Sequence, residues 1–286
     1  FKKFIKMAAN FNKLDTFLRL MPSSSSETLM RGFIANLDNT GSLEDAIDVA
    51  DSYSSITDKK LKSTILGYVI KNENDCIQKN NARGKTIYGL LKTIFQSADA
   101  ANKIDLTSIL GIPSIYEIDY KDMQDDSGRI IQQVYWYGDK DGKAFFPAFI
   151  NSFSTKEWTI TSNSEWYEIR SKKGNVWVFA NRPLDNDANL DDSAQVHLNK
   201  YLYDKDMHPA VIVHRGHSYW VPRTIKRMAG NAKIVMLGSC GGYKNLNDII
   251  ERNPDAHIIS TKEIGAGDIN RPILNYLNQT FESGSK

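Results

Sequence analysis

The sequence predicts an α/β fold, a mainly parallel sheet with helices on both faces, preceded by an all-helical amino-terminal domain. Three observations carry this expectation. Up to about residue 112 apolar residues recur at helical spacing, as in Phe4, Ile5, Ala8, Phe11 and Leu14, or Leu61, Ile65, Tyr68 and Val69. Beyond "LGIPSIYEIDY" the texture changes to short runs rich in Val, Ile, Tyr and Trp. Those runs then alternate with helical patterns, an arrangement that calls for parallel strands covered on both faces. The predicted domains are residues 1–113, helical, and residues 128–286, α/β, with the boundary between 113 and 128.

In the helical half, "PSSSSE" (Pro22 to Glu27) and "TGSLED" (Thr40 to Asp45) each place a Ser or Thr cap shortly before a carboxylate, which satisfies first-turn amides. About five short antiparallel helices are expected. The serine run is read as a helix-helix turn because Leu29, Phe33, Ile34 and Leu37 resume the amphipathic pattern at once. This half offers no chemistry, and a protein partner is the natural expectation for it.

In the second half seven strands are expected: "RIIQQVYWYG", "EWTITS", "EWYEIRS", "NVWVFANRP", "AVIVHRG", "KIVMLGS" and "AHIISTK". Helical patterns fall at "FFPAFINSF", "DDSAQVHLNKYLYDKDM", "VPRTIKRM", "NLNDIIERN" and "INRPILNYLNQTF". The two strands joined by Lys-Lys-Gly in "EWYEIRSKKGNVWVFA" read as a hairpin, placed at an edge of the sheet.

The chain of 286 residues is long enough for a substantial core. Its 36 Lys and Arg balance 34 Asp and Glu with no basic-aromatic cluster, which argues against nucleic acid as a partner. With two cysteines, Cys76 and Cys240, a disulfide framework is not expected. No stretch is apolar for long enough to span a bilayer. The chain opens on Phe1 rather than Met, so removal of a leading segment is expected, and a secreted or periplasmic setting is one reading of a compartment left open.

Two passages ask for a chemical explanation, "VIVHRGHSYW" (Val211 to Trp220) and "IVMLGSCGGY" (Ile234 to Tyr243). Each is an apolar run ending in Gly and a reactive side chain, His217 and Cys240. The sixteen residues between Gly216 and Lys233 suit a crossover helix with Pro222 in its first turn and Gly230 at its end. Two parallel strands would then deliver His217 and Cys240 to the carboxyl edge, where open α/β sheets place their ligands. Neighbouring strands lie roughly 4.8 Å apart, which brings the two side chains within reach of one substrate atom. A thiol needs an adjacent imidazole to become thiolate, and the imidazolium can later protonate a leaving amine. Gly238, Gly241 and Gly242 allow a sharp turn that brings backbone amides to a developing oxyanion.

At "RGHS" (Arg215 to Ser218) and "GSCGG" (Gly238 to Gly242), with "YGDKDG" (Tyr137 to Gly142) ending a first strand, the sequence resembles the caspase-like (clan CD) cysteine peptidases, among them caspases, gingipains and clostripain. The resemblance covers about residues 128–286. It implies a caspase-like fold and a cysteine endopeptidase acting on protein or peptide, with Cys240 as nucleophile, His217 as acid and base, and oxyanion donors among the backbone groups of Gly216, Ser218 and Gly241. No cofactor and no metal is expected, although some members of the clan depend on calcium or on self-cleavage.

His214, three residues before His217, competes as base and is expected to be buried and hydrogen-bonded. His197, His208 and His257 occur singly, without metal-ligand spacing. Asp139 and Asp141 read as turn residues of "GDKDG"; lining the specificity pocket, they would favour Lys or Arg before the scissile bond. Glu263 and Asp268 are similar candidates, with a helix N-cap the other reading for Asp268. The polar segment Asn181 to Gln195 is either a substrate-contacting or processing loop or an ordinary exposed loop.

Two other readings stand beside this one. "GSCGG" also fits the nucleophile elbow of α/β-hydrolases and amidotransferase-like folds, which need a His well downstream, and only His257 follows Cys240. A catalytically inactive caspase-like scaffold or binding module would instead bury its thiol.

Overall fold

A computed structural model describes residues 2–39, 43–97, 108 and 117–284. The chain divides into two compact units, Phe1–Ile115 and Tyr116–Lys286.

The first unit contains α1 (Lys2–Asn10), α2 (Leu14–Arg19), α3 (Ser23–Ile34), α4 (Glu44–Ser54), α5 (Lys59–Gln78) and α6 (Ala82–Ser97). Six helices are therefore described where about five short ones were expected, and α5 runs for 20 residues. Their apolar stripes meet in one core, with Ile5, Leu14, Ile34, Val69 and Tyr88 almost fully enclosed. Glu73 lies on the buried face of α5 and pairs with Lys92 of α6 at 2.6 Å. The serines of "PSSSSE" do not cap: they enter the helix itself, Pro22 stands at its N-cap, and Ser26 Oγ donates back to the carbonyl of Ser23. In "TGSLED" the candidate caps Thr40 and Ser42 lie outside the described residues. The N-cap position of α4 is Leu43, with Glu44 and Asp45 supplying negative charge to the first turn.

The second unit is α/β. Its elements are β1 (Ile130–Trp136), α7 (Lys140–Asn151), β2 (Trp158–Ser162), β3 (Trp166–Ser171), β4 (Val176–Asn181), α8 (Leu190–Asp204), β5 (Val211–Arg215), α9 (Val221–Arg227), β6 (Ile234–Leu237), α10 (Leu246–Arg252), β7 (His257–Ser260) and α11 (Gly267–Ser283). One seven-stranded sheet forms in the order β2-β3-β4-β1-β5-β6-β7. The pairs β4/β1, β1/β5, β5/β6 and β6/β7 are parallel, and β2/β3 and β3/β4 are antiparallel.

All seven residues of β1 are buried, as the central strand of a sheet covered twice must be. Ile130, Val134 and Trp136 pack beneath Phe146 and Phe149 of α7 and Leu274 and Phe281 of α11. On the opposite face Tyr135 and Ile212 meet Val221 and Ile225 of α9 and Ile249 of α10, while Ile131 and Phe179 meet Leu198 and Leu202 of α8.

The Lys-Lys-Gly hairpin joins β3 to β4 as expected, but not at the edge of the sheet. β4 is buried along nearly its whole length and pairs with β1, whereas β2, exposed at alternate positions, takes the outer place. α9 also stops earlier than expected. Pro222 stands in its first turn, yet the helix ends at Arg227 with Met228 extended, before Gly230 is reached.

Candidate active site

The register between β5 and β6 places the two reactive residues. Val211 pairs with Ile234 and His214 with Leu237, a constant offset of 23 positions. The ladder continues past the strand ends, where the amide of Gly238 donates to the carbonyl of His214 at 3.0 Å. His217 and Cys240 share that offset and leave the same carboxyl edge. They line one open cleft of about 340 Å³ together with Trp136, Asp141, Phe145 and Arg215. Cys240 is a free, exposed thiol, whereas Cys76 is buried in the helical unit.

A buried network holds the backbone of His217. His214 is fully enclosed; its Nδ1 accepts from the Thr224 hydroxyl at 2.7 Å, and its Nε2 donates to the carbonyl of His217 at 3.3 Å. Burial pushes His214 down to about 4, so it is neutral near pH 7 and both nitrogens are committed. It positions His217 rather than competing with it. The Tyr137 hydroxyl stands 2.8 Å from Thr224 Oγ1, and its ring stacks on Trp220 at 5.2 Å. The ring of Tyr219 stacks on His217 at 5.2 Å, and His217 Nε2 lies 3.4 Å from Asp141 Oδ2.

Asp141 comes to this place because the carboxyl end of β1 is pinned. The Trp136 amide donates to Asn181 Oδ1 at 2.9 Å, and its carbonyl accepts from Asn181 Nδ2 and Gln195 Nε2 at 2.8 and 2.9 Å. The Gly138 amide donates to Asp191 Oδ2 at 2.9 Å. Asn181, Asp191 and Gln195 are all buried, so the two ends of the segment 181–195 anchor β1, while Asp185 and residues 187–190 between them are exposed. Asp139 then caps α7, its Oδ1 accepting from the Gly142 amide at 2.8 Å and its Oδ2 from Trp220 Nε1 at 3.1 Å.

The turn after Cys240 depends on Gly241 at φ +57°, backbone that favours glycine. The Gly241 amide donates to the carbonyl of Glu263 at 2.7 Å, which removes it from the expected oxyanion donors. Among the described residues the amides of Gly216, Ser218 and Cys240 make no hydrogen bond. The segment after β7 reaches the thiol from one side and leaves it exposed. Thr261 Oγ1 donates to the carbonyl of Ser239, and the Gly265 amide donates to Cys240 Sγ at 3.4 Å. Gly265 is required there, because a Cβ would stand 2.6 Å from the carbonyl carbon of Ser239.

No family model, curated protein or solved structure matches the chain. What the site does chemically is therefore argued from its own residues.

The acidic candidates fall out differently from the sequence expectation. Asp141 lines the cleft but faces His217; Asp139 is used up by its cap and the Trp220 indole. Glu263 contributes its backbone carbonyl and does not line the cleft. Asp268 lies in the first turn of α11, not at its N-cap, which is Ala266, and borders an adjoining side pocket of about 180 Å³. Of the four, Asp141 lines the cleft and Asp268 the adjoining pocket, while Asp139 and Glu263 line neither. Arg215, Trp136, Phe145 and Thr224 complete the site and were not singled out from the sequence; the string "HRGH" was the one signal for Arg215.

His197 and His208 contact Glu165 and Asp206 at 2.7 and 3.0 Å, and His257 starts β7 at the edge opposite Cys240. Among the described residues no group of His, Cys, Asp or Glu is arranged to hold a metal ion, and no helix is long and apolar enough to cross a membrane.

Proposed function

We propose that the α/β unit is a caspase-like cysteine endopeptidase working through a Cys240/His217 dyad. The observation that carries this reading is the shared offset of 23 positions, which brings an exposed thiol and an imidazole to adjacent strand ends in one cleft. Asp141 lies beside Nε2, which leaves Nδ1 as the ring nitrogen not facing that carboxylate.

In the reaction Cys240 Sγ bonds to the scissile carbonyl carbon while its proton passes to His217. The oxyanion is held by the unoccupied amides of Cys240 and Ser218. The carbon-nitrogen bond then breaks as His217 returns the proton to the leaving amine. Water, activated by the same imidazole, hydrolyses the thioester and restores the thiol. His217 and Cys240 need no cofactor for these steps.

Of the other readings, the hydrolase-type elbow lacks its His, since His257 lies at the wrong end of β7. An occluded thiol, which an inactive scaffold would carry, does not describe Cys240. The deciding experiment is the pH dependence of alkylation by iodoacetamide in wild type, Cys240→Ala and His217→Ala. Labelling of Cys240 that is fast below pH 7 and slows in His217→Ala is expected. Labelling as slow as an ordinary cysteine in both proteins would remove the dyad.

A further inference from the structure

Four rings at the carboxyl edge of the sheet form one chain of contacts. Tyr137, just past the end of β1, stacks on Trp220 with centroids 5.2 Å apart and planes within 4°. Trp220 meets Tyr219 at 5.0 Å, and Tyr219 lies on the imidazole of His217 at 5.2 Å and 16°. Tyr137 is buried in the core, so the chain carries a fixed point out to the reactive imidazole. Trp220 is pinned as well: its Nε1 donates to Asp139 Oδ2 at 3.1 Å, and the guanidinium of Arg223 stands 4.4 Å over its ring.

Tyr219 is the ring with no packing duty. It is 63% exposed and joins none of the apolar cores among the described residues; its ring contacts are with His217 and Trp220. A tight turn brings it there. His217 is extended, Ser218–Trp220 form a single 3-10 turn, and the Trp220 amide donates to the His217 carbonyl at 3.0 Å, the oxygen that His214 Nε2 also holds.

The backbone of His217 is thus fixed, while its side chain keeps two torsions, the second of them broad for an imidazole. The Asp141 contact touches one edge of the ring, at 3.4 Å, between two well-exposed groups. An edge contact sets where Nε2 lies and leaves the plane of the ring to swing about it. A stacked face sets the plane. The two together fix the direction of Nδ1.

The geometry points to Tyr219 as the positioning residue of the dyad: its ring holds the imidazole plane in the orientation from which His217 exchanges a proton with Cys240. This role rests on the Cys240/His217 reading of the cleft. It requires the ring of Tyr219 and not its hydroxyl.

Three readouts on the full chain test it. Histidine isotopically labelled at Cε1 reports the stack by nuclear magnetic resonance. The His217 signal, identified by its absence in His217→Ala, is expected upfield of an exposed histidine; Tyr219→Leu should return it and Tyr219→Phe keep it. Alkylation of Cys240 by iodoacetamide below pH 7 should slow by about tenfold in Tyr219→Leu and recover in Tyr219→Phe. In peptide hydrolysis Tyr219→Leu should lower kcat by about tenfold with KM unchanged.

No upfield displacement in wild type overturns the assignment before any variant is made. So does a Tyr219→Leu protein that labels at the wild-type rate, or one whose KM rises while kcat holds, the mark of a ring that only touches substrate. If the signal and the alkylation rate both depend on the ring yet no peptide is cut, the positioning role stands and the peptidase reading falls.

Discussion

Nε2 of His217 lies 3.4 Å from Oδ2 of Asp141, which joins the strand that supplies the imidazole to the helix following the central strand. A carboxylate so placed orients the ring. Both side chains are well exposed, so the effect is a modest one. Asp141→Asn is expected to lower kcat/KM by about tenfold, against about a hundredfold or more for His217→Ala. Equal activity in Asp141→Asn and wild type, by steady-state peptide hydrolysis, would sink the orienting role.

The buried His214 makes acid stability predictable. Between pH 6.5 and about 4 the unfolded chain binds a proton there that the folded chain refuses, so stability falls as the pH drops through that window. The full loss is on the order of 3 kcal/mol. Urea denaturation at a series of pH values should show this slope, and His214→Gln should flatten it whatever its absolute stability.

Replacing Gly265 by Ala sets a Cβ against the backbone of Ser239 and forces the segment off the thiol. The hydrogen bonds from Gly265 to Sγ and from Gly241 to Glu263 are then lost. Faster cleavage by an added protease between Thr261 and Ala266, with the strand core intact by circular dichroism, is the expected result. Unchanged cleavage would mean that the segment is held by other contacts.

In the helical unit, Tyr88 Oη donates to the carbonyl of Ile34 at 3.0 Å and accepts from the amide of Leu37 at 3.1 Å. Burial pushes the phenol up to about 12, so it remains a neutral donor well into alkaline solution. Tyr88→Phe removes both hydrogen bonds, and a loss of about 1–3 kcal/mol is expected in denaturant titration. A loss below a few tenths would show that water reaches the end of α3.

Each of the seven β-rich runs is a strand, because alternation and β-branched content report burial directly. That His217 and Cys240 leave the same edge was legible for a related reason: two apolar runs and the crossover between them fix the direction of both chain ends. The place of β4 was not legible, since a hairpin signal says which strands are joined and not which neighbour the second one takes. Asp141 was singled out at the end of the first strand as a turn or pocket residue, and it meets His217 because β1 sits beside β5. Gly241 was expected to present its amide to an oxyanion, and the competing carbonyl of Glu263 arrives from 22 residues further along the chain.

The order of the sheet makes its two outer borders unequal. A backbone adding to β7 would lie beside the strand next to the one that ends in Cys240, and against the start of the segment that reaches the thiol. A backbone adding to β2 would be separated from β5 by four strands, β2, β3, β4 and β1. Unpaired strand borders are where chains self-associate. Association along β7 would therefore be felt at the cleft, and the same event along β2 would leave the cleft untouched.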